Sequence, residues 1–271
     1  MHFKRFLEIK PEISNLFIIF INNKVLYDLN DKTFLLNSSF LNFTNFEFKK
    51  IGIAQNNNTN IYAADLSNES FSLLNQGYQS LVEYDLRYLM TILSEKDLGL
   101  VGRANQLLHY LNSSKHCGYC GSVMEFDSTE EAMFCKCNNL MIYPKISPCV
   151  LALIKKDNQI LLARNALFPE GFYSALAGFI EVSETAEETV IREVYEEVSL
   201  KVNNITYYAS QAWPFPSQLM LAYICDYESG DIKVDGNEIV DAKWFDIDNL
   251  PNIPPNSTLS GRLINSCISD R

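Results

Sequence analysis

Apolar residues recur along this chain with two different periods, and the switch between them marks its parts. Over residues 1–93 short apolar runs alternate with Asn-rich breaks. Leu16–Ile21 and Val25–Leu29 flank Asn22-Asn23-Lys24, while Ile51–Ala54 and Ile61–Ala64 flank Gln55–Asn60. Short apolar runs joined by turn-forming residues predict two β-hairpins in a small β-rich domain. One helix is expected near Leu81–Leu93. Ser94 then stands as an N-cap with Asp97 at N3, opening a second helix that should run to about Asn112.

From Tyr143 the pattern becomes that of a compact mixture of strands and helices. Pro148–Lys155 and Gln159–Arg164 read as a hairpin around Asp157-Asn158, and Tyr173–Leu176 as a short strand. Ile205–Gln211, Leu219–Tyr227 and Lys243–Asp246 are further strands, and Pro254-Pro255 leads into a last helix around Thr258–Ser269. Between these lies Glu184–Val198, free of Gly and Pro, where Val190, Val194 and Val198 recur every four residues with Ile191 beside them. That spacing predicts a helix with a narrow apolar stripe.

Composition narrows the class. The chain has 271 residues, 47% of them hydrophobic and 20% charged, enough for two domains and a sizeable core. Its apolar runs, such as Leu16–Ile21 and Cys149–Ile154 of six residues each, nowhere exceed seven, whereas a membrane helix needs about 20. The N-terminal stretch has no apolar h-region and no small-residue cleavage site. A soluble cytoplasmic protein with no membrane partner is expected. The net charge of −11 argues against broad, sequence-independent nucleic-acid binding, because no excess of Lys and Arg is present to displace counterions.

Two constellations carry chemistry. On the helix over Glu184–Val198, Glu193 and Glu197 stand at i, i+4 with Glu196 between them. Like charges at that spacing repel by a few tenths of a kcal/mol, so a purely structural helix gains little from them. Hard divalent cations need such oxygen ligands, and the cluster reads as a cation site; a solvated acidic face is the alternative. The second constellation is Cys117-Gly-Tyr-Cys120 followed by Cys135-Lys-Cys137. Two close cysteine pairs across a short loop form a zinc-ribbon pattern with four thiolate ligands. Disulfides and buried reduced thiols are the competing readings, the former disfavoured in a cytosolic chain. The second pair is CxC rather than CxxC, a tighter loop. Cys149, Cys225 and Cys267 are isolated and read as core residues.

The segment Gly178–Leu200, GFIEVSETAEETVIREVYEEVSL, resembles the Nudix box, Gx5Ex7REUxEExGU with U aliphatic. Every fixed position matches except the last glycine, here Ser199, which serves the left-handed turn ending the helix. Ser210–Met220, SQAWPFPSQLM, is similar to the SQPWPFPxS array of the NADH pyrophosphatases within that superfamily, with Ala212 for Pro and Gln218 for Ser. The same family has a small N-terminal domain, a four-cysteine zinc ribbon and a Tyr-Pro-x-Ile-x-Pro-Cys segment, here Tyr143–Cys149. The resemblance covers Leu81 to Arg271 by motif and the first eighty residues by position only.

The resemblance implies an α/β (α+β) chain: residues 1–113 a β-rich N-terminal domain with linking helices, 114–142 a zinc ribbon, and 143–271 a catalytic Nudix α/β/α sandwich with a mixed sheet. It implies that Glu193 and Glu197, with Glu196 beside them, the backbone carbonyl of Ala177 and the carboxylate of Glu238 hold catalytic Mg²⁺ or Mn²⁺. Zn²⁺ would be structural, one per chain, on Cys117, Cys120, Cys135 and Cys137. Arg192 would pair with Glu184 and hold the box loop. Phe179 and Tyr143 would sandwich a nicotinamide, Tyr143 from the other subunit of a homodimer. Gln211, Ala212, Trp213, Pro214, Phe215, Pro216, Ser217 and Gln218 would line the substrate. Trp213 and Phe215, spaced by prolines, suit a stiff aromatic platform; a core-packed turn or a proline-rich ligand segment is the plainer reading. Arg87, Glu130 and Ser260 match outer substrate positions, though singly each is an ordinary surface residue.

The implied reaction is metal-dependent hydrolysis of NAD(H) at the pyrophosphate, giving NMN(H) and AMP, with the NAD cap at an RNA 5′ end as a substrate carrying the same bond. Glu196 or Glu197 would serve as base. Hydrolysis of another nucleoside diphosphate derivative, such as ADP-ribose or a nucleotide sugar, is the alternative, and a non-catalytic nucleotide sensor a third. The presence of Glu184, Arg192, Glu193, Glu196 and Glu197 weighs against the sensor.

Overall fold

The computed structural model describes residues 2–7, 14–37, 49–56, 58–66, 80–234 and 236–269. Asn57, inside the turn expected at Gln55–Asn60, lies outside them, as do residues 8–13 of the N-terminal stretch. The chain divides into two compact units: Met1–Lys145 with Pro214–Pro216, and Ile146–Trp213 with Ser217–Arg271.

In the first unit β1 (Ser14–Ile21), β2 (Lys24–Asp28), β3 (Leu36–Asn37), β4 (Lys49–Asn56), β5 (Thr59–Asp65) and β6 (Leu81–Asp85) form one sheet. Its order is β4-β5-β1-β2-β6, with β3 also on β1. β1 is central and runs parallel to β5. Phe17 to Ile21 are all buried, which is why that stretch is continuously apolar instead of alternating. Both expected hairpins form, β1 with β2 and β4 with β5. Asn22 and Asn23 turn the first with φ of 49° and 64°, left-handed values that Asn tolerates better than most residues.

The helix expected across Leu81–Leu93 is only half helix. Leu81–Asp85 is strand β6, paired to the edge of β2, and helix α1 covers Leu86–Ile92. Pairing with an open sheet edge outweighs helix formation for a segment carrying Val82 and Tyr84. Helix α2 spans Glu95–Ser113, and the Ser94 hydroxyl accepts from the Asp97 amide at 3.2 Å. A small antiparallel sheet follows: β7 (Glu125–Asp127), β8 (Ala132–Cys135) and β9 (Leu140–Ile142), in that order.

The second unit is a mixed sheet between two helices. Its strands are β10 (Ser147–Lys156), β11 (Gln159–Asn165), β12 (Leu176–Phe179), β13 (Lys201–Trp213), β14 (Gln218–Ser229) and β15 (Ile239–Asp246), ordered β13-β14-β10-β11-β15 with β12 also on β10. β10 and β14 are parallel and the other pairs antiparallel. Alternate residues of β10 face opposite helices. Val150, Ala152 and Ile154 pack with Val190, Val194 and Val198 of helix α3 (Ala186–Val198). Cys149, Leu151 and Leu153 pack with Leu259, Leu263 and Ile264 of helix α4 (Leu259–Ser269). The three α3 valines are fully buried, each contributing on the order of 2 kcal/mol. The strand expected at Tyr173–Leu176 lies later, at Leu176–Phe179, because its register on β10 runs from Ala152 to Cys149.

Candidate active site

The box begins on β12. Gly178 sits so close to helix α3 that a Cβ built there would lie 1.9 Å from the Glu193 Cδ. Any side chain there would push the Glu193 carboxylate aside, so the glycine is what lets Glu193 reach the strand. Ala177, its neighbour, is exposed and opposite Leu151 in the ladder, and Phe179 is 48% exposed.

Helix α3 then opens with a capping box that the sequence reading overlooked: Thr185 Oγ1 accepts from the Glu188 amide at 3.2 Å, and Glu188 Oε2 accepts from the Thr185 amide at 2.8 Å. The signal, Thr followed three residues on by Glu, was present. At the other end Ser199 adopts φ 60°, ψ 25°, the left-handed conformation that the missing glycine would adopt without strain. Its hydroxyl donates to the Lys233 carbonyl at 3.3 Å.

Arg192 organises the segment between. Its Nε and Nη2 donate to the two Glu184 oxygens at 2.6 and 2.9 Å, a bidentate pair. Nη2 also donates to the Phe179 carbonyl at 2.9 Å, and Nη1 to Glu193 at 2.8 Å and Glu196 at 3.0 Å. Thr189, which no sequence motif singles out, donates to Glu184 Oε2 at 2.9 Å. Held chiefly by Arg192, Glu184 has its carboxyl drawn down to about 2.

Glu193 is perturbed the other way. Burial raises its pKa, Arg192 opposes this, and the negative charges of Glu196 and Glu238 raise it further. Glu197, one turn on, is 6% exposed. Cys149 lies in the same environment: burial first, then Glu193 and Glu197, push its thiol up to about 12. Glu238 is exposed just before β15, its Oε1 3.4 Å from Asn165 Nδ2. The charges of Glu196 and Glu238 thus bear on Glu193, and those of Glu193 and Glu197 on Cys149 of the neighbouring strand. A buried carboxylate whose pKa is raised, Glu193, with further carboxylates near it is a donor set suited to hard divalent cations.

The other expected site residues are distributed as follows. Gln211 spends its amide at the start of α4, donating to the Ser257 carbonyl at 3.0 Å and accepting from the Leu259 amide at 2.7 Å. Ser260 is buried, its hydroxyl 2.7 Å from that of Ser174. Ala212 and Trp213 end β13 opposite Leu219 and Gln218, and Trp213 packs partly against the α4-side core. The Ser217 carbonyl accepts from the Ser147 amide at 2.9 Å. Pro214, Phe215 and Pro216 group with the first unit, where Arg87 lies 4.7 Å above the Phe215 ring and Asn105 donates to the Pro214 carbonyl at 2.9 Å. In that unit Tyr143 donates its hydroxyl to Glu130 at 2.8 Å.

Cys117, Cys120 and Cys135 converge, with ligand atoms all within 4.8 Å of one another. Cys137 is not part of that group; it is exposed in the turn between β8 and β9. Ser122 is the neighbour the sequence did not flag, its hydroxyl 2.9 Å from Cys120 Sγ and 3.4 Å from Cys135 Sγ. That contact is the main cause lowering the Cys135 thiol to about 6.

Known proteins similar to this chain share its NUDIX stretch. The chain is 46% identical over 169 residues to the NAD-capped RNA hydrolase NudC of Photorhabdus laumondii, covering 62% of this chain and 66% of that protein. It is 45% identical over 170 residues to the protein of the same name from Enterobacter sp., covering 63% and 66%. The matched stretch thus falls just short of two thirds of these relatives' length. A solved NUDIX hydrolase from Nitrosomonas europaea is similar at 24% identity over 57% of this chain and 88% of its own, with a TM-score of 0.47. Residues 144–266 match the NUDIX domain. Glu184, Arg192, Glu193, Glu196, Glu197 and Glu238 all lie within that matched stretch.

Proposed function

We propose that this protein hydrolyses the pyrophosphate bond of NAD(H), yielding NMN(H) and AMP, and removes the NAD cap from RNA 5′ ends by the same reaction. One observation carries the reading above all: Glu193 packed on Gly178, with Glu197 buried one turn further on and the charge of Glu238 acting on Glu193. The names of the relatives, NAD-capped RNA hydrolase, support the choice of substrate, as does the Ser210–Met220 array.

Glu193, Glu197, Glu238 and the Ala177 carbonyl would hold Mg²⁺ or Mn²⁺. Bound there, the cations would neutralise phosphate charge and lower the pKa of an attacking water. The chain's own residues do the rest. Arg192 fixes the Phe179 carbonyl and, through Glu184, the loop between β12 and α3. It also orients Glu193 and Glu196, so the carboxylates stand ready and little reorganisation accompanies the reaction. Glu196, more exposed than Glu197 with 58% of its side chain accessible, would accept a proton from water. The exposed Phe179 ring presents a face on which a nicotinamide stacks. The protein acts as a homodimer in the cytoplasm.

A panel assay tests this: AMP release from NADH, NAD⁺ and ADP-ribose, and NMN release from NAD-capped RNA, with Mg²⁺ or Mn²⁺. Faster turnover of the nicotinamide substrates is expected. ADP-ribose as the best substrate would overturn the substrate choice, and no release from any would overturn the activity.

A further inference from the structure

The first unit contains a second candidate centre whose ligand set differs from the one its cysteine spacing suggests. Cys117 and Cys120 lie in a tight loop closed by two backbone bonds, Cys117 N–H to the Ser122 carbonyl and Gly121 N–H to the Cys117 carbonyl, both 2.8 Å. Gly121 has φ 72° there, a left-handed value glycine adopts without strain. Cys135 is the last residue of β8, fully buried, and delivers its thiol from the facing hairpin. Cys120 Sγ and Cys135 Sγ are 3.6 Å apart. Thiolates on a tetrahedral zinc with bonds of about 2.3 Å stand roughly 3.8 Å apart, so this spacing fits the ion.

Cys137 does not join them. Cys135 pairs with Leu140 across the hairpin, so residues 136–139 form the turn. A CxxC knuckle would put its second ligand at position 138, and the residue there is Asn138, whose Nδ2 lies 3.9 Å from Cys135 Sγ. With CxC, the second cysteine falls one residue short and is exposed. Ser122 Oγ instead closes the fourth side, in reach of both Cys120 and Cys135. An oxygen vertex bonded at about 2.0 Å would stand roughly 3.5 Å from each sulfur, against the observed 3.4 Å to Cys135. The 2.9 Å to Cys120 is a hydrogen bond.

We propose that this centre binds zinc through the three thiolates of Cys117, Cys120 and Cys135 with an oxygen, from Ser122 or a water beside it, at the fourth vertex. Cys137 is a solvent-facing thiol outside the coordination set. The fourth vertex is exchangeable, so the ion leaves more readily than from a closed four-thiolate site. This inference does not depend on which substrate the NUDIX domain hydrolyses.

Cobalt substitution in the full chain reads the ligand set directly, because the thiolate-to-cobalt absorption grows with the number of thiolates bound. Cys137→Ser should bind about one Co²⁺ per chain with the wild-type spectrum. Ser122→Cys should raise the band by about one third, as a fourth thiolate enters. A band that falls by about a quarter in Cys137→Ser would overturn the proposal, and so would a wild-type chain that binds no metal. A second measurement needs no variant. In the zinc-loaded protein, alkylation followed by mass spectrometry should modify Cys137 with zinc retained; a Cys137 protected until chelator is added would overturn the assignment.

Discussion

Glu184 and Glu193 are the same residue on the same segment, and the fold treats them in opposite ways. Glu184 receives both ends of the Arg192 fork, the Thr189 hydroxyl and the Glu181 amide, and its carboxyl falls to about 2. Glu193 receives one bond from the same arginine and is pushed up, burial outweighing that bond. One half of the box is a satisfied brace and the other a concentration of acidity that works against the stability of the fold. The two are joined through Arg192, so the stable half fixes the geometry of the unfavourable one. Strain of this kind at one spot, with compensation beside it, is how sites for chemistry are built into a stable fold.

The largest effect should come from the unfavourable half. Glu197→Gln keeps volume and removes charge, so turnover with Mg²⁺ or Mn²⁺ should fall at least about 100-fold while the melting temperature holds. Near-normal turnover would remove Glu197 from the metal site. Next comes the ring that projects beside the brace. Phe179→Ala should lower kcat/KM for NADH roughly ten- to a hundred-fold, the worth of an aromatic stacking contact, and affect ADP-ribose much less. Equal losses on both substrates would make Phe179 a support for the loop.

The comparison itself is tested by a matched pair of charge-neutral variants in metal-free protein. Because the folded state lowers the Glu184 carboxyl from 4.5 to about 2, its stabilisation is complete above about pH 4.5 and disappears as pH falls towards 2. Glu184→Gln should therefore melt lower than wild type at pH 7, with the gap closing across that window. The raised Glu193 gives the opposite sign: its ion destabilises above the folded pKa and the penalty vanishes below about 4.5. Glu193→Gln should melt higher than wild type at neutral pH and match it in acid. Shifts of the same sign in both variants would refute the division of labour. The smallest effect belongs to the helix end, where Ser199→Gly should stabilise by about 0.5 kcal/mol in denaturant unfolding, relieving φ 60° at the loss of one exposed hydrogen bond. Destabilisation would mean that the bond to Lys233 outweighs the backbone strain.

Much of the site was legible because its information is local. Glu193 and Glu197 share a helix face by spacing alone, and Val190, Val194 and Val198 state which face is buried. The hairpin at Asn22-Asn23 and the cap at Ser94 are likewise written within a few residues. Where a segment's fate depended on a distant partner, local pattern failed. Leu81–Asp85 became a strand because β2 had an open edge, and Tyr173–Leu176 was displaced by the register of β12 on β10. Ser260 looked like a surface hydroxyl until Ser174, far away in sequence, covered it.

The sequence by itself determined the helix of carboxylates, the glycine before it and the two cysteine loops, since each depends on residues within a turn or two and on backbone preferences that act locally. Only the tertiary structure decided what those residues experience. The pKa of a carboxylate depends on which neighbours exclude water from it, so that Glu184 and Glu193 diverge only once Arg192 and the β12 strand are in place. Likewise two separate loops decide which side chains come within reach of one another, and that geometry gathers Cys117, Cys120 and Cys135 with Ser122 and leaves Cys137 outside.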